Sequence, residues 1–161
     1  MDKQQNQPGN LIAAGILLGI GAAGFFDGIV LHEILQWHHM LTSVRPITNI
    51  SSLEANTLWD GIFHAAMYAF TVAGVVFLWR AVSNSNVPLS LQTFGGSLLI
   101  GAGSFNLIEG LIDHQILGIH HVKTGPNELA WDIGFLAISA VLVAIGWILL
   151  RSGRREATTY N

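Results

Sequence analysis

Four long apolar segments restrict the fold of this chain more than any other feature of its sequence. Each is long enough to span ~30 Å of hydrocarbon at ~1.5 Å per helical residue. The composition agrees, because 51% of the 161 residues are hydrophobic and only 11% are charged, whereas soluble domains carry about 25% charged residues. We therefore predict an all-α fold, an integral membrane four-helix bundle. The segments run from Leu11 to about Trp37, from Leu58 to Trp79, from about Leu91 to Ile119 and from Leu129 to Leu150.

The composition also excludes several kinds of site and partner. The chain has no cysteine, which removes disulfides, thiolate metal ligands and a thiol nucleophile. Its formal net charge of −3 shows no basic excess, so we expect no nucleic-acid partner. The polar start, MDKQQNQPGN, lacks the basic-then-apolar order of a cleaved signal peptide, and we expect the first span to direct insertion.

The distribution of lysine and arginine predicts the orientation of the spans. Arg45 and Lys123 lie on one side of the predicted membrane, and five basic residues lie on the other. Because cytoplasmic loops carry the excess of basic residues, the side with five is predicted to be cytoplasmic. Both termini then lie in the cytoplasm. The five residues are Lys3, Arg80, Arg151, Arg154 and Arg155.

Two stretches of the sequence are near copies of each other. Residues 27–39 read DGIVLHEILQWHH, and residues 109–121 read EGLIDHQILGIHH. A shift of 82 residues aligns the acidic residue, the single histidine and the histidine pair of the two copies. A weaker echo pairs LWDGIF, from residue 58, with AWDIGF, from residue 130. The repeated unit is therefore a two-helix hairpin that the chain uses twice.

This repeat predicts the organisation of the chain. With an even number of spans in each unit, the copies enter the membrane in the same direction, as two parallel two-helix repeats related by an axis along the membrane normal. Small residues at Gly15-x3-Gly19, Gly24-x3-Gly28 and Ser97-x3-Gly101 have the spacing that lets helix backbones approach. The predicted boundaries are a cytoplasmic tail at 1–10, hairpins at 11–82 and 91–151, a cytoplasmic linker at 83–90 and a cytoplasmic tail at 152–161.

Ionisable residues inside the predicted spans indicate a functional site. An unpaired charge near the middle of a membrane helix costs at least ~2.5–3.5 kcal/mol on insertion scales, so such residues face inward and are usually functional. Counting helical turns puts His32, His64 and His114 at a similar depth in the outer half of the bilayer, with His32 and His114 about two turns or ~10 Å inside the histidine pairs. Imidazole suits iron, copper and zinc, and carboxylates either bind the metal or orient the imidazoles. The predicted metal ligands are His32, His64 and His114 with Asp27, Asp60, Glu109 and Asp132, and a second or access site at the surface is predicted for His38, His39, His120 and His121.

Three functions remain open at this stage. A transition-metal site, mononuclear or dinuclear, would serve redox chemistry, as in a metal-dependent membrane oxidoreductase, or hydrolysis, or the holding and delivery of a metal. Haem b is the first alternative, because His32 and His114, facing each other across the pseudo-twofold axis, would be its two axial ligands. A proton or cation transporter is the second, because chains of Asp, Glu and His form relays in membranes. The sequence does not choose among iron, copper and zinc.

Three motifs, GFFDGIVLHEILQWHH, LWDGIFHA and LIEGLIDHQILGIHH, resemble those of an uncharacterised bacterial family of small predicted four-span membrane proteins, a domain of unknown function. The likeness extends from residue 11 to 151. It implies a location in a bacterial inner or cytoplasmic membrane and no assigned activity, so it transfers no catalytic residues. Relatives near terminal-oxidase assembly genes would make a respiratory-chain protein a partner to test. The lipid bilayer is the other predicted partner, and the oligomeric state, including a homo-oligomer, stays open.

Overall fold

The fold is all-α, and the computed structural model describes residues 8–83 and 89–159. Four helices are long and apolar enough to cross a membrane, which confirms the predicted fold class. Two of them continue without a break into π-helical segments. The elements are α1 (Pro8–Phe25) with a first π-helical segment (Phe26–Ile34), α2 (Ile50–Ser83), α3 (Leu91–Glu109) with a second π-helical segment (Gly110–Ile116), and α4 (Glu128–Thr159).

Two of the helices extend beyond the apolar segments that predicted them. α2 begins at Ile50 because a reciprocal cap fixes its polar first turn: Ser52 N–H donates to Asn49 Oδ1 at 2.9 Å, and Asn49 N–H donates to Ser52 Oγ at 3.1 Å. This capping box satisfies backbone donors that a helix end leaves free. α4 continues to Thr159, so residues 152–159 of the predicted tail are helical.

α1 and α3 form the centre of the bundle, and α2 and α4 lie outside them. Among the described residues the close backbone contacts between helices join α1 to α3, α1 to α2 and α3 to α4. Buried residues make up 44% and 33% of the most apolar stretches of the first and third spans, but only 17% in each of the other two. This is the arrangement expected of two hairpins related by a pseudo-twofold axis between α1 and α3.

Small residues allow α1 and α3 to cross closely. A Cβ atom on Gly19 would collide with the carbonyl oxygen of Leu98, and one on Gly101 would collide with the backbone of α1. Gly15 faces Ser97 in the same way. Since Gly15 and Ser97, like Gly19 and Gly101, are equivalent positions of the repeat, both helices use the same positions for the crossing. The small-residue spacing seen in the sequence therefore has its predicted packing role at this point.

Both central helices widen where the copied motif begins. Leu35 N–H donates to the carbonyl oxygen of Val30 at 2.8 Å, and Leu117 N–H donates to that of Ile112 at 2.8 Å. Each of these bonds reaches five residues back, as in a π-helix, instead of four. In an α-helix, residues five apart point about 140° away from each other, whereas a π-turn brings them to the same side. The π-helical segments therefore align the acidic residue of each motif with the histidine five positions later.

The loops after the two π-helical segments pack against each other at one end of the bundle. Ser43 N–H donates to the carbonyl oxygen of Ile119 at 3.0 Å. The Lys123 ammonium lies 4.6 Å from the ring centre of Trp37 and 5.2 Å from that of Trp131, and the two rings are 5.3 Å apart. Contacts of a cation with aromatic faces are attractive, so Lys123 joins the two hairpins above the site that their loops enclose.

We expect Gly19→Ala to destabilise the protein, because the new Cβ would overlap the Leu98 carbonyl oxygen and overpacking costs about 1–3 kcal/mol. Gly61→Ala is the matched control, since a Cβ there meets nothing within 4 Å and alanine is the better helix former. Unfolding in mixtures of detergent and SDS, followed by circular dichroism, compares the two variants. Equal unfolding midpoints would contradict the close crossing.

Candidate functional site

Six histidines and four carboxylates collect at the end of the bundle that the two loops cover. We call this set the histidine cluster. It draws side chains from both π-helical segments, from both loops, and from α2 and α4. All four carboxylates and four of the six histidines are buried. The members are His32, His38, His39, His114, His120, His121, Asp27, Asp60, Glu109 and Asp132.

In the first hairpin, His32 lies between two buried carboxylates. Its Nε2 is 3.0 Å from Asp27 Oδ2, a contact that the π-turn makes by placing residues five apart on one side. Its Nδ1 is 3.0 Å from Oδ1 of Asp60 in α2. The His32 side chain is completely buried, so both ring nitrogens have carboxylate oxygens as their nearest polar neighbours.

Asp60 also holds the loop that follows the first π-helical segment. Its Oδ2 is 2.6 Å from Nδ1 of His39, and its Oδ1 accepts a hydrogen bond from Met40 N–H at 2.9 Å. A carboxylate that accepts from His32, His39 and a backbone amide has its oxygens well supplied with donors. Asp60 is therefore placed to orient imidazoles.

The second hairpin repeats this arrangement. Nε2 of His114 is 2.9 Å from Glu109 Oε1, five residues earlier, and its Nδ1 is 3.4 Å from Asp132 Oδ1. Asp132 Oδ2 is 2.7 Å from Nδ1 of His121, and its Oδ1 accepts from Val122 N–H at 3.0 Å. Each contact has an equivalent in the first hairpin, so the predicted pairing of Asp60 with Asp132 corresponds to a shared structural role.

His38 and His120 lie between these two halves. Their rings are stacked, with centres 4.8 Å apart and planes only 6° from parallel. The His38 ring centre is 4.4 Å from that of His32, and the His120 ring centre is 4.9 Å from that of His114. Four imidazoles therefore form a row across the pseudo-twofold axis.

The two rings of the stacked pair have different hydrogen-bond partners. His38 Nδ1 donates to the carbonyl oxygen of Val122 at 2.9 Å, whereas His120 Nε2 donates to Glu109 Oε1 at 2.9 Å. Burial lowers the pKa of His38 to about 2, and the neighbouring His32 and His120 rings add to this effect. His38 is therefore a neutral imidazole at physiological pH, with its proton on Nδ1.

The predicted surface position of His38 and His120 is wrong. Each is only 1% exposed, and His38 contacts His32 instead of lying two turns away from it. The prediction assumed that the α-helix continues through the motif, but the chain reverses at Gln36, with φ 49°, and at the equivalent Gly118, with φ 57°. His39 and His121 do lie at the rim, with side chains 14% and 21% exposed.

The structure does not bring His64 into the histidine cluster. The ring packs between Phe25 and Phe63, at 6.1 and 5.9 Å, and its Nε2 occupies the space left by the missing side chain of Gly28. The repeat explains the difference, because the position equivalent to His64 is Leu136. A weak sequence signal thus existed: His64 is the one predicted histidine without a counterpart in the other hairpin.

Sequence reasoning missed the part that the loop backbone plays. The Met40 and Val122 amides and the Val122 carbonyl oxygen all bond to the cluster, and main-chain groups leave no signature in residue type. Gln115 was missed too, although its amide donates to Asp132 Oδ2 at 3.1 Å. Its position directly after His114 in the copied motif was the one feature of the sequence that could have indicated this role.

Several side chains of the cluster bring nitrogen and oxygen atoms of the kinds that bind metals near one another. Two groups of three residues have potential ligand atoms within 4.8 Å of one another. Every ion pair that the four carboxylates make within the described chain is with a histidine. The negative charge must therefore be balanced by protons on the imidazoles or by bound cations. The two groups are His32, His38 and His120, and Glu109, His114 and His120.

Comparison with known proteins identifies a family but no activity. No curated protein and no solved structure matches the chain. A family model described as "Predicted membrane protein (DUF2243)" matches residues 14–153, which includes all or most of each of the four spans and every residue of the histidine cluster. The chain therefore belongs to this family of predicted multi-pass membrane proteins.

Proposed function

We propose that this chain is a membrane-embedded transition-metal-binding protein whose histidine cluster serves redox chemistry or metal handling. One observation gives the main support. His38 Nε2 faces Asp27 Oδ1 at 3.8 Å and has no hydrogen-bond partner among the described residues. Because the His38 proton is on Nδ1, the two facing atoms are both acceptors. A cation between them would turn a repulsive contact into shared coordination.

The surrounding contacts agree with this proposal. Asp60 is bonded to Nδ1 of His32, so Nε2 of that ring is directed into the cluster. A carboxylate paired with a histidine in this way orients metal ligands. Nε2 of His32 and Oδ2 of Asp27 are 3.0 Å apart. Two ligands each about 2.0–2.1 Å from one metal ion lie about 3.0–3.4 Å apart, so this pair fits such an ion with little movement.

The charge of the cluster would be balanced by two divalent ions, and not by one, where its imidazoles are neutral. Four buried carboxylates contribute four negative charges if the imidazoles are neutral. Two divalent cations, one for each hairpin, would balance them, and the shared His120 would lie between the two groups of ligands. Nitrogen and oxygen donors suit iron, copper and zinc. Bound there, the metal would supply electron transfer or Lewis-acid chemistry, while Asp60 and Asp132 hold the imidazoles and the loops keep water out.

The two alternatives have less support. A haem b between His32 and His114 would need a slot for its ring, but the stacked rings of His38 and His120 fill that space. A relay for protons or cations would need ionisable groups through the other half of the membrane. Residues 8–26, 65–79, 91–108 and 133–150 contain no Asp, Glu, His, Lys or Arg. The partners named from the sequence, a second copy of the chain and a respiratory-chain protein, stay predictions.

We further propose a location in a bacterial inner membrane, with the histidine cluster on the outer side and both termini in the cytoplasm. Arg45 and Lys123 lie at the cluster end, whereas Arg80 and Arg151 lie at the other, which fits the excess of basic residues in cytoplasmic loops. Because the chain lacks cysteine, single cysteines report the topology cleanly. A membrane-impermeant maleimide added to intact cells should label Ser43→Cys and should label Ser152→Cys only after lysis. The reverse pattern would contradict the orientation.

Elemental analysis of the purified protein tests the metal site. We expect about one or two iron, copper or zinc ions per chain, and at least a tenfold loss of affinity in His32→Ala and in His114→Ala. His64→Leu is the matched control, since the second hairpin has leucine at that position, and it should keep the metal. Circular dichroism confirms that each variant is folded. Full metal occupancy in the His32→Ala, His114→Ala double variant would overturn the proposal, and a Soret band would establish haem instead.

Nitrogen-15 NMR of histidine-labelled protein, stripped of metal, tests the lone pair on His38. Its pKa lies far below the ordinary value of 6.5, so at pH 5 this ring should remain neutral and carry its proton on Nδ1. Comparison with His38→Asn assigns the signal. A proton on Nε2, or a charged His38 ring at pH 5, would remove the observation on which the proposal rests.

A further inference from the structure

Two histidines connect the histidine cluster with the surface of the protein. The side chains of His39 and His121 are 14% and 21% exposed, whereas every other member of the cluster is less than one-tenth exposed. The shortest route for a cation from water to the buried ligands therefore passes one of these two residues. They lie at equivalent positions of the two hairpins, but their surroundings differ.

His121 faces an acidic residue that is not a member of the cluster. Its Nε2 is 3.3 Å from Oε1 of Glu128, whose side chain is 38% exposed. Nδ1 of the same ring is 2.7 Å from Asp132 Oδ2, so Asp132 orients the ring with Nε2 toward the rim. Two ligands each about 2.0–2.1 Å from one metal ion lie about 3.0–3.4 Å apart, and the contact between His121 and Glu128 has this length.

Asp132 connects this exposed pair with the buried ligands. Its Oδ1 is 3.4 Å from Nδ1 of His114, and Nε2 of His114 is 2.9 Å from Glu109 Oε1. Glu109 and His114 belong to one of the two groups of potential metal ligands. One carboxylate, that of Asp132, therefore separates the rim pair of His121 and Glu128 from the interior of the cluster.

The first hairpin does not repeat this rim pair. Asn56, four residues before Asp60, occupies the position that Glu128 has before Asp132. Asn56 is completely buried, and its side-chain amide accepts a hydrogen bond from one backbone group of the covering loop and donates to another. A neutral group thus holds the loop in place on this side, whereas the second hairpin presents a carboxylate to water.

We infer that Glu128 and His121 form the entry site through which a divalent transition-metal cation from water reaches the histidine cluster. The inference rests on the proposed metal function and adds to it the route of the ion and a residue outside the cluster. The carboxylate attracts the hydrated cation, and the imidazole is a ligand suited to it. Lys123 makes no ion pair with Glu128 within the described chain, because two tryptophan rings hold its ammonium. Two protein ligands bind an ion weakly, so it passes inward.

The rates at which Co²⁺ enters and leaves the metal-free, full-length protein in lipid nanodiscs test the entry site. The visible absorption of bound Co²⁺ reports loading, and excess EDTA starts release. We expect Glu128→Gln to slow loading and release by the same factor, at least about fivefold, and to leave the affinity unchanged, because a group on the route changes the barrier and not its two ends. Glu128→Asp, which keeps the charge, should restore most of both rates.

Glu54→Gln is the matched control, since it removes an exposed negative charge at the same end of the bundle and should change neither rate. Both glutamates have exposed side chains, and circular dichroism checks that the variants are folded.

Three results would overturn the entry site. Equal rates in Glu128→Gln and the unmodified protein would leave Glu128 an ordinary surface partner of His121. Faster release and weaker affinity in Glu128→Gln would make Glu128 a resident ligand. An equal slowing by Glu54→Gln would reduce the effect to overall surface charge. Each of these leaves the proposed metal function intact, whereas no binding of Co²⁺ by the unmodified protein would contradict that function and the entry site together.

Discussion

The structure depends on the pairing of buried carboxylates with imidazoles inside a membrane protein. Asp27, Asp60, Glu109 and Asp132 are each less than one-tenth exposed, and leaving such groups unpaired in an apolar interior would cost several kcal/mol each. The π-helical segments and the loops that follow them bring imidazole and backbone N–H groups to these carboxylates. The glycines at the crossing hold the two central helices close enough for their histidines to meet across the axis.

Much of the fold followed from the sequence because membrane spans and repeats are signals of residue type and position. Four apolar segments predicted four helices, and the duplicated motif predicted two equivalent halves with equivalent contacts to Asp60 and Asp132. Helix ends were less predictable, because polar turns extend α2 and α4 beyond the apolar stretches. The residue types of Asn49 and Ser52 and their spacing indicate this helix cap, but hydropathy alone does not detect it.

The details of the site were predicted less well, and for a definite physical reason. Depth was counted at α-helical pitch, which put His38 and His120 at the surface and His64 level with His32. The helix instead widens by one residue per turn and the chain then reverses, so the first histidine of each pair lies inside the cluster. His64 lies outside the cluster, against Gly28, Phe25 and Phe63. A π-turn is a choice between two hydrogen-bond patterns of similar energy, and tertiary contacts such as Asp27 with His32 decide it. Residue types seen one at a time do not contain that information.

The π-helical segments have a further consequence for how this chain tolerates changes in length. A π-turn holds one residue more than an α-turn, so a deletion of one residue within 26–34 or 110–116 would convert it to an α-turn with nearly the same rotation, because five π-helical residues and four α-helical residues each complete about one turn. The same deletion in the α-helical part of α1 or α3 would instead rotate the glycine crossing by about 100° relative to the ion pairs, because no wide turn is present there to absorb it. Each motif thus acts as a place where the chain can lose one residue while keeping the rotational phase between the lipid-spanning part of its helix and the polar end.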